Sequence, residues 1–219
     1  MTNWLEDLRF SNSQHGVRFR DKHPDSPYYE EPEANWPKIT RELLSRQKLT
    51  GPALATAVLG SWDDIFSSQI GPARIGVDIF PAPQVMGFLL HELTPLRVAL
   101  DLPGWRRDAT ASERDLVFDP DPSLSIEIKT SSNPTQVFGN RSFGQENAGR
   151  GKKAKSGYYC TINFEGWKDA PGRRPEILRI RYGWIDSTDW VAQEAATGQA
   201  SSLPGRVYRG QLALIYERT

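Results

Sequence analysis

The sequence holds a single cysteine, Cys160, in 219 residues, so neither an internal disulfide nor a cysteine-rich zinc site can form. Its strand-like apolar neighbours mark Cys160 as a packing residue and not a reactive thiol. No apolar run approaches the length needed to cross a bilayer, and Met1-Thr2-Asn3-Trp4-Leu5-Glu6 lacks the basic and apolar regions of a signal peptide. A cytoplasmic protein with no membrane partner is expected. Net charge is also missing, with 27 basic against 27 acidic residues, which argues against a generic polycationic binder of nucleic acid but leaves room for a local basic surface. Histidine is scarce, and His15 and His23 have no spacing partner, so both are expected to be solvated. No internal repeat or low-complexity tract occurs. Gly149 to Gly157 is rich in glycine and lysine but lacks the Gly-Lys-Ser/Thr ending and the following helix of a phosphate loop, which excludes a nucleotide-triphosphate site there.

The charge that is present is uneven. Between Arg141 and Arg181 stand ten basic residues and four acidic ones, an asymmetry that fits either a face for phosphates or a solvated basic loop. Residues 1–35 are rich in Pro, Asp, Glu, Arg and Ser without a sustained period, and read as an irregular arm, more a poorly ordered terminus than a clasp on a partner. Residues 36–219 read as a single domain.

Within that domain the periodicity predicts a helix from Pro37 with Ile39, Leu43 and Leu44 on one face, and a second after Gly51-Pro52 with Leu54, Val58, Trp62, Ile65 and Phe66 as its core stripe. Asp63 and Asp64, near the end of the second helix, are acidic candidates with no geometry to support them. A short strand over Arg74 to Phe80 and a third helix over Ala82 to Leu93 follow, then a polar connection from Asp101 to Arg114. Further strands are expected over Tyr158 to Phe164, Leu178 to Trp184 and Val207 to Tyr216. Asp186 or Ser187 should cap a helix running through Ala196, and Ser142 to Ala148 is a candidate short helix. The order predicts an α/β protein with a mixed central sheet flanked by helices.

The stretch Asp115 to Thr130 organises the rest. Leu116-Val117-Phe118 is a short apolar run, Asp119 to Ser123 is turn chemistry, and Leu124 to Lys129 alternates, which together read as a β-hairpin. A turn closing with Asp119 opposite Ser123 pairs Phe118 with Leu124, Leu116 with Ile126 and Asp115 with Glu127. Lys129 then shares a face with both carboxylates, and Ile126 and Ile128 point into a core. Facing carboxylates about 5 Å apart at an effective dielectric of about 20 repel by roughly 3 kcal/mol, a cost that a divalent cation between them reverses. The same Glu-x-Lys spacing also suits the solvated face of an edge strand, and a one-residue change of register would move Asp115 to the other face.

Asp115 followed by Glu127-Ile128-Lys129 on the next strand resembles the PD-(D/E)xK nuclease motif. The literal Pro120-Asp121 lies in the turn, too far along the hairpin to share a metal with Glu127, and Arg114, not proline, precedes Asp115. Longer blocks sharpen the likeness. Ser125 to Ser132, Phe138-Gly139-Asn140-Arg141-Ser142-Phe143, Lys155-Ser156-Gly157-Tyr158-Tyr159, Gly183-Trp184-Ile185-Asp186 and Thr197-Gly198-Gln199 are similar to ScaI-type type II restriction endonucleases, over roughly Ile79 to the C-terminus.

The resemblance implies a restriction-endonuclease-like fold and magnesium-dependent, sequence-specific double-strand cleavage of DNA. Asp115, Glu127 and Lys129 would be catalytic, and Asp115, Glu127 and the Ile128 carbonyl would bind the metal. Glu92 and Gln145 are accessory candidates. Ser131, Ser132, Asn133, Gln136, Asn140 and Arg141 would contact bases or backbone, since Asn and Gln suit adenine and Arg suits guanine, and Lys152, Lys153 and Lys155 would contact phosphates. Palindromic duplex sites imply a homodimer. A structure-specific repair or recombination nuclease and a non-catalytic DNA-binding module are the alternatives.

Overall fold

The computed structural model describes residues 3–10, 22–140, 155–193 and 200–219. Three helices form where the apolar periodicity placed them: α1 (Trp36–Ser45), α2 (Gly51–Ser67) and α3 (Pro83–Asp101). Each carries proline in its first turn, where a missing N–H costs nothing, and the Thr50 side chain accepts from Ala53 N to cap α2. α3 runs eight residues beyond the expected end at Leu93, straight through Pro95. Proline there removes one backbone bond, but Thr94, Pro95 and Val98 are buried and Arg97 forks onto Asp64 of α2 at 2.6 and 2.8 Å, so packing outweighs the local penalty.

The strands are β1 (Arg9–Phe10), β2 (Gln69–Ile70), β3 (Ala73–Arg74), β4 (Trp105–Arg107), β5 (Leu116–Phe118), β6 (Ile126–Ser131), β7 (Phe138–Asn140), β8 (Gly157–Phe164), β9 (Ile177–Ile185), β10 (Val191–Ala192), β11 (Ala200–Ser202) and β12 (Leu212–Glu217). Seven form the central sheet in the order β1-β12-β9-β8-β6-β5-β4. β6 and β8 are parallel and the other neighbours antiparallel, so the sheet is mixed as expected. β10, β11 and β7 make a small second sheet, and β2 and β3 a two-stranded ribbon.

All eight residues of β8 are buried. Tyr158, Cys160, Ile162 and Phe164 meet Ile126, Ile128 and the α2 and α3 stripes on one face; Tyr159 meets Ile185, Trp190, Val207 and Tyr208 on the other. A strand covered on both faces raises the Cys160 thiol well above its ordinary range, consistent with packing and not reactivity. It also buries Arg181 to 1% exposure and lowers its pKa to about 10 through desolvation.

Several expected elements differ. The connection from Asp101 to Arg114 contains β4, which Arg106 braces by bonding Glu113 and Asp119. The expected strand over Arg74 to Phe80 is limited to β3 and one Ile75–Ile79 bridge, because Gly76 turns the chain at φ 82°. The expected helix after Asp186 is a single 3-10 turn over Ser187–Asp189 followed by β10, and its later part lies outside the described residues. The expected strand over Val207 to Tyr216 is a short helix, α4 (Gly205–Gly210), and then β12; α4 sends Val207 and Tyr208 into the second core, where a strand would have exposed one of them. Within the N-terminal segment, β1 pairs with β12, and Lys22 lies 2.7 Å from both Asp186 and Asp189.

Glu165 closes the β8–β9 turn, accepting from both Arg173 terminal nitrogens at 2.6 Å and from Glu176 N, and forming an ion pair with Arg218 at 2.8 Å. The Arg173 bonds, above all, hold its pKa at about 2, below the ordinary 4.5. A depressed carboxylate contributes stability that is fully present above its ordinary pKa and lost as pH falls towards about 2. Glu165→Gln is therefore expected to cost about 1–3 kcal/mol at neutral pH, with the gap to wild type closing on acidification; urea midpoints for both proteins at neutral pH and near pH 3 check this.

Candidate active site

The hairpin forms with Leu116 opposite Ile126, the register that sets Asp115 alongside Glu127. Its turn is built differently from the expectation. Pro122–Leu124 is a 3-10 turn, so Leu124 does not pair with Phe118; Phe118 N donates instead to the Ser125 hydroxyl at 3.1 Å. Asp121 caps that turn, accepting from Ser123 N at 3.0 Å and Ser123 Oγ at 2.7 Å. The literal Pro120-Asp121 is therefore turn chemistry.

Asp115 lies one residue ahead of β5, where that strand no longer covers the edge of β6. Its Oδ2 accepts from Ile128 N at 2.6 Å, so the side chain takes the place of a ladder partner. One residue back, Glu127 is 3% exposed and its Oε1 accepts from Lys129 Nζ at 2.5 Å. Burying Glu127 beside an ammonium offsets the desolvation of both groups. Ile126 and Ile128 are buried on the opposite face, as the alternation predicted.

Arg114 explains the departure from the motif's name. Its Nη2 donates to Ser156 O at 2.5 Å and its guanidinium lies 5.5 Å from the ring centre of Tyr159, the β8 neighbour of Glu127. Gly157 permits this, since a Cβ there would stand 2.3 Å from Arg114 Nη2. Arg114 thus bolts the segment entering Asp115 to the start of β8. A proline would supply stiffness but no such anchor.

Helix α3 approaches from the other side. Gly87 lets it come close to β6, because a Cβ there would sit 2.5 Å from Thr130 Oγ1. One turn on, His91 Nδ1 lies 3.4 Å from Asp115 Oδ2. The neighbouring Glu92 turns instead to Arg107 of β4 at 2.5 Å. His91 also lines a groove of about 620 Å³ between α3 and the end of β6, with Thr130, Ser131 and Ser132 along it and the exposed rings of Phe88 and Phe138 at its sides.

The residues proposed for DNA contact fall into three groups. Ser131, Asn133 and Gln136 build the loop after β6: Ser131 Oγ accepts from Asn133 N at 3.0 Å, and Asn133 Oδ1 accepts from Thr135 N at 3.0 Å and Gln136 N at 2.9 Å. Ser132 faces the groove, Asn140 is exposed on β7, and Lys155 lies just before β8 with its carbonyl accepting from Tyr159. Arg141, Gln145, Lys152 and Lys153, and the short helix expected over Ser142 to Ala148, lie outside the described residues. The basic excess does not all present a free face, since Arg173, Arg174 and Arg179 pair with Glu165, Asp63 and Glu217 and Arg181 is buried.

Among the described residues, no three His, Cys, Asp or Glu side chains come together as a metal cluster. The Asp115 carboxylate is held at the backbone N of Ile128, the residue that follows Glu127 on β6. Carboxylate and backbone carbonyl oxygens of the kind Asp115, Glu127 and Ile128 carry are the donors that hard divalent cations take.

The ScaI restriction endonuclease family model matches residues 26–216. The chain belongs to that family. It is 55% identical over 214 residues, 97% of this chain and 94% of the relative, to the Type II restriction enzyme ScaI of Streptomyces caespitosus. The match extends well upstream of Ile79, where the resemblance in the sequence began. No solved structure matches the chain. No helix among the described residues is long and apolar enough to cross a membrane.

Three supports escaped the sequence reading. His91 and Arg114 were visible only as neighbours of better candidates. Asn163 lies within the strand expected over Tyr158 to Phe164; its Nδ2 donates to Asn133 O at 2.7 Å and Gln136 O at 2.9 Å, and its Oδ1 accepts from Arg181 at 2.8 Å. Asn163 thus ties the loop after β6 to the buried guanidinium. Asn163→Ala is expected to destabilise the fold by about 1–3 kcal/mol and to raise hydrogen exchange over residues 133–137 above that of β8; denaturant melts with exchange mass spectrometry check both.

Proposed function

We propose that this chain is a type II restriction endonuclease that hydrolyses both strands of duplex DNA at a specific sequence, with Asp115, Glu127 and Lys129 at its catalytic centre. The observation that supports the reading is the Asp115–Ile128 N bond on the same short stretch of β6 as the Glu127–Lys129 pair. Asp115, Glu127 and the Ile128 carbonyl would hold magnesium, whose chemistry when bound is to lower the pKa of a water and to offset charge on the scissile phosphate.

Lys129 carries its ammonium at the Glu127 carboxylate, where it orients an attacking water and stabilises the negative charge that builds on the pentavalent phosphorus. Ile128 N keeps the Asp115 carboxylate aimed at that point before substrate arrives, so little reorganisation is needed in the reaction. Water adds to phosphorus and gives a proton to solvent, the bond from phosphorus to the leaving oxygen breaks, and that oxygen takes up a proton from solvent. Ser131, Ser132, Asn133, Gln136, Asn140 and Arg141 provide contacts to the duplex, and Lys152, Lys153 and Lys155 contacts to its phosphates, with Glu92 and Gln145 accessory to the centre. The protein acts in the cytoplasm, through one catalytic domain over 36–219 with residues 1–35 as an arm.

A plasmid digest tests the reading. Magnesium should give discrete, reproducible bands and chelator none. Random or junction-dependent cutting would instead indicate a structure-specific nuclease, and no cutting with any divalent ion a binding module. Lys129→Ala should lower cleavage about 100- to 1000-fold with DNA affinity nearly unchanged; wild-type rates would refute its role.

Two-fold symmetric sites are matched by a two-fold symmetric protein, so the enzyme is a homodimer on DNA. Analytical ultracentrifugation with a short cognate duplex should give two chains per duplex, and one chain per duplex would exclude the dimer.

A further inference from the structure

The Asp115 carboxylate is approached from two directions. Ile128 N fixes it from the strand side at 2.6 Å. His91, carried on α3, lies 3.4 Å away through Nδ1 from the helix side. The position of that helix is itself dictated by the bare Cα of Gly87 against Thr130, and Glu92, the neighbouring acid, is turned to Arg107. The His91 ring is partly buried, stands at the end of the groove bounded by Phe88 and Phe138, and makes its contact through one named ring nitrogen.

We propose that His91 is a positioning residue for the cleavage reaction: its Nδ1–H holds Asp115 in the orientation the catalytic centre uses. The inference rests on the reading of Asp115, Glu127 and Lys129 as that centre. A contact from α3, an element independent of the strand that supplies Ile128 N, restrains the carboxylate along a second direction, and supports of this kind are worth about 10- to 100-fold in activity.

The atom used makes the test selective. An asparagine amide nitrogen stands close to the position of Nδ1, whereas a glutamine amide nitrogen stands close to that of Nε2. His91→Ala should lower kcat about 10- to 100-fold with KM, DNA affinity and melting temperature nearly unchanged. His91→Asn should restore most of the loss and His91→Gln little of it. In metal-free protein, at a pH where the ring is neutral, long-range proton–nitrogen spectra should show His91 as the Nδ1–H tautomer, and Asp115→Ala should release it to the Nε2–H form that free imidazole prefers. With three histidines in the chain, loss of one ring signal in His91→Ala gives the assignment.

The inference is overturned by wild-type kcat in His91→Ala, by equal rescue from Asn and Gln, by a change confined to KM, or by an Nε2–H tautomer in wild type. Glu127→Gln serves as the separate control. If it cleaves normally, the nuclease reading of this cluster fails; if it is inactive while His91→Ala is not, the role of His91 alone fails.

Discussion

A mismatch in strand length governs the site. β5 contributes three residues and β6 six, and the two pair only at Leu116 and Ile126, so the edge of β6 beyond that point has backbone N–H groups with no strand to receive them. An unpaired N–H at a partly buried edge carries a cost comparable to a lost hydrogen bond. Asp115 meets this demand with a side chain, and in doing so a carboxylate is stationed beside Glu127. The vacancy in the ladder and the candidate catalytic centre are the same feature.

The surrounding structure holds that vacancy open in a fixed shape. Arg114 ties the chain just before Asp115 to the start of β8, and Gly157 makes the space for its guanidinium. α3 continues through Pro95, packs on α2 and comes close to β6 at Gly87, which brings His91 to the far side of the carboxylate. On the other face, Tyr159 lies beneath Glu127 in a second core. The loop after β6 is stiffened from within by Asn133 and from below by Asn163 and Arg181, so its geometry is inherited from the sheet. Function and fold share these supports, and a change in any of them reaches the site through packing.

Much of this was legible in local pattern. The helical stripe of α2, the proline starts, the alternation of Ile126 and Ile128 and the hairpin register all follow from short-range periodicity and turn chemistry, which operate within a few residues. The failures have a common cause. β4 is three residues long with two arginines after Trp105, and α4 is a single short helix whose Val207 and Tyr208 also fit a strand, so each is decided by what lies across the core. Pro95 ends a helix by local rule and does not end this one, because burial of Thr94, Pro95 and Val98 outweighs one lost bond. Arg181 is buried because a second core closes over its face of the strand.

By itself, the sequence determined that a hairpin would form, that Leu116 would pair with Ile126, and that Glu127 and Lys129 would share a face of the second strand, since all of these depend on residue type and close spacing. The tertiary structure alone decided which further residues serve that hairpin. His91 reaches Asp115 across 24 positions of chain, Arg114 reaches Ser156 across 42, and Asn163 reaches the Asn133 carbonyl across 30. Contacts at such separations are made by helices and strands packing on one sheet, and no local periodicity encodes which side chains that packing will bring together.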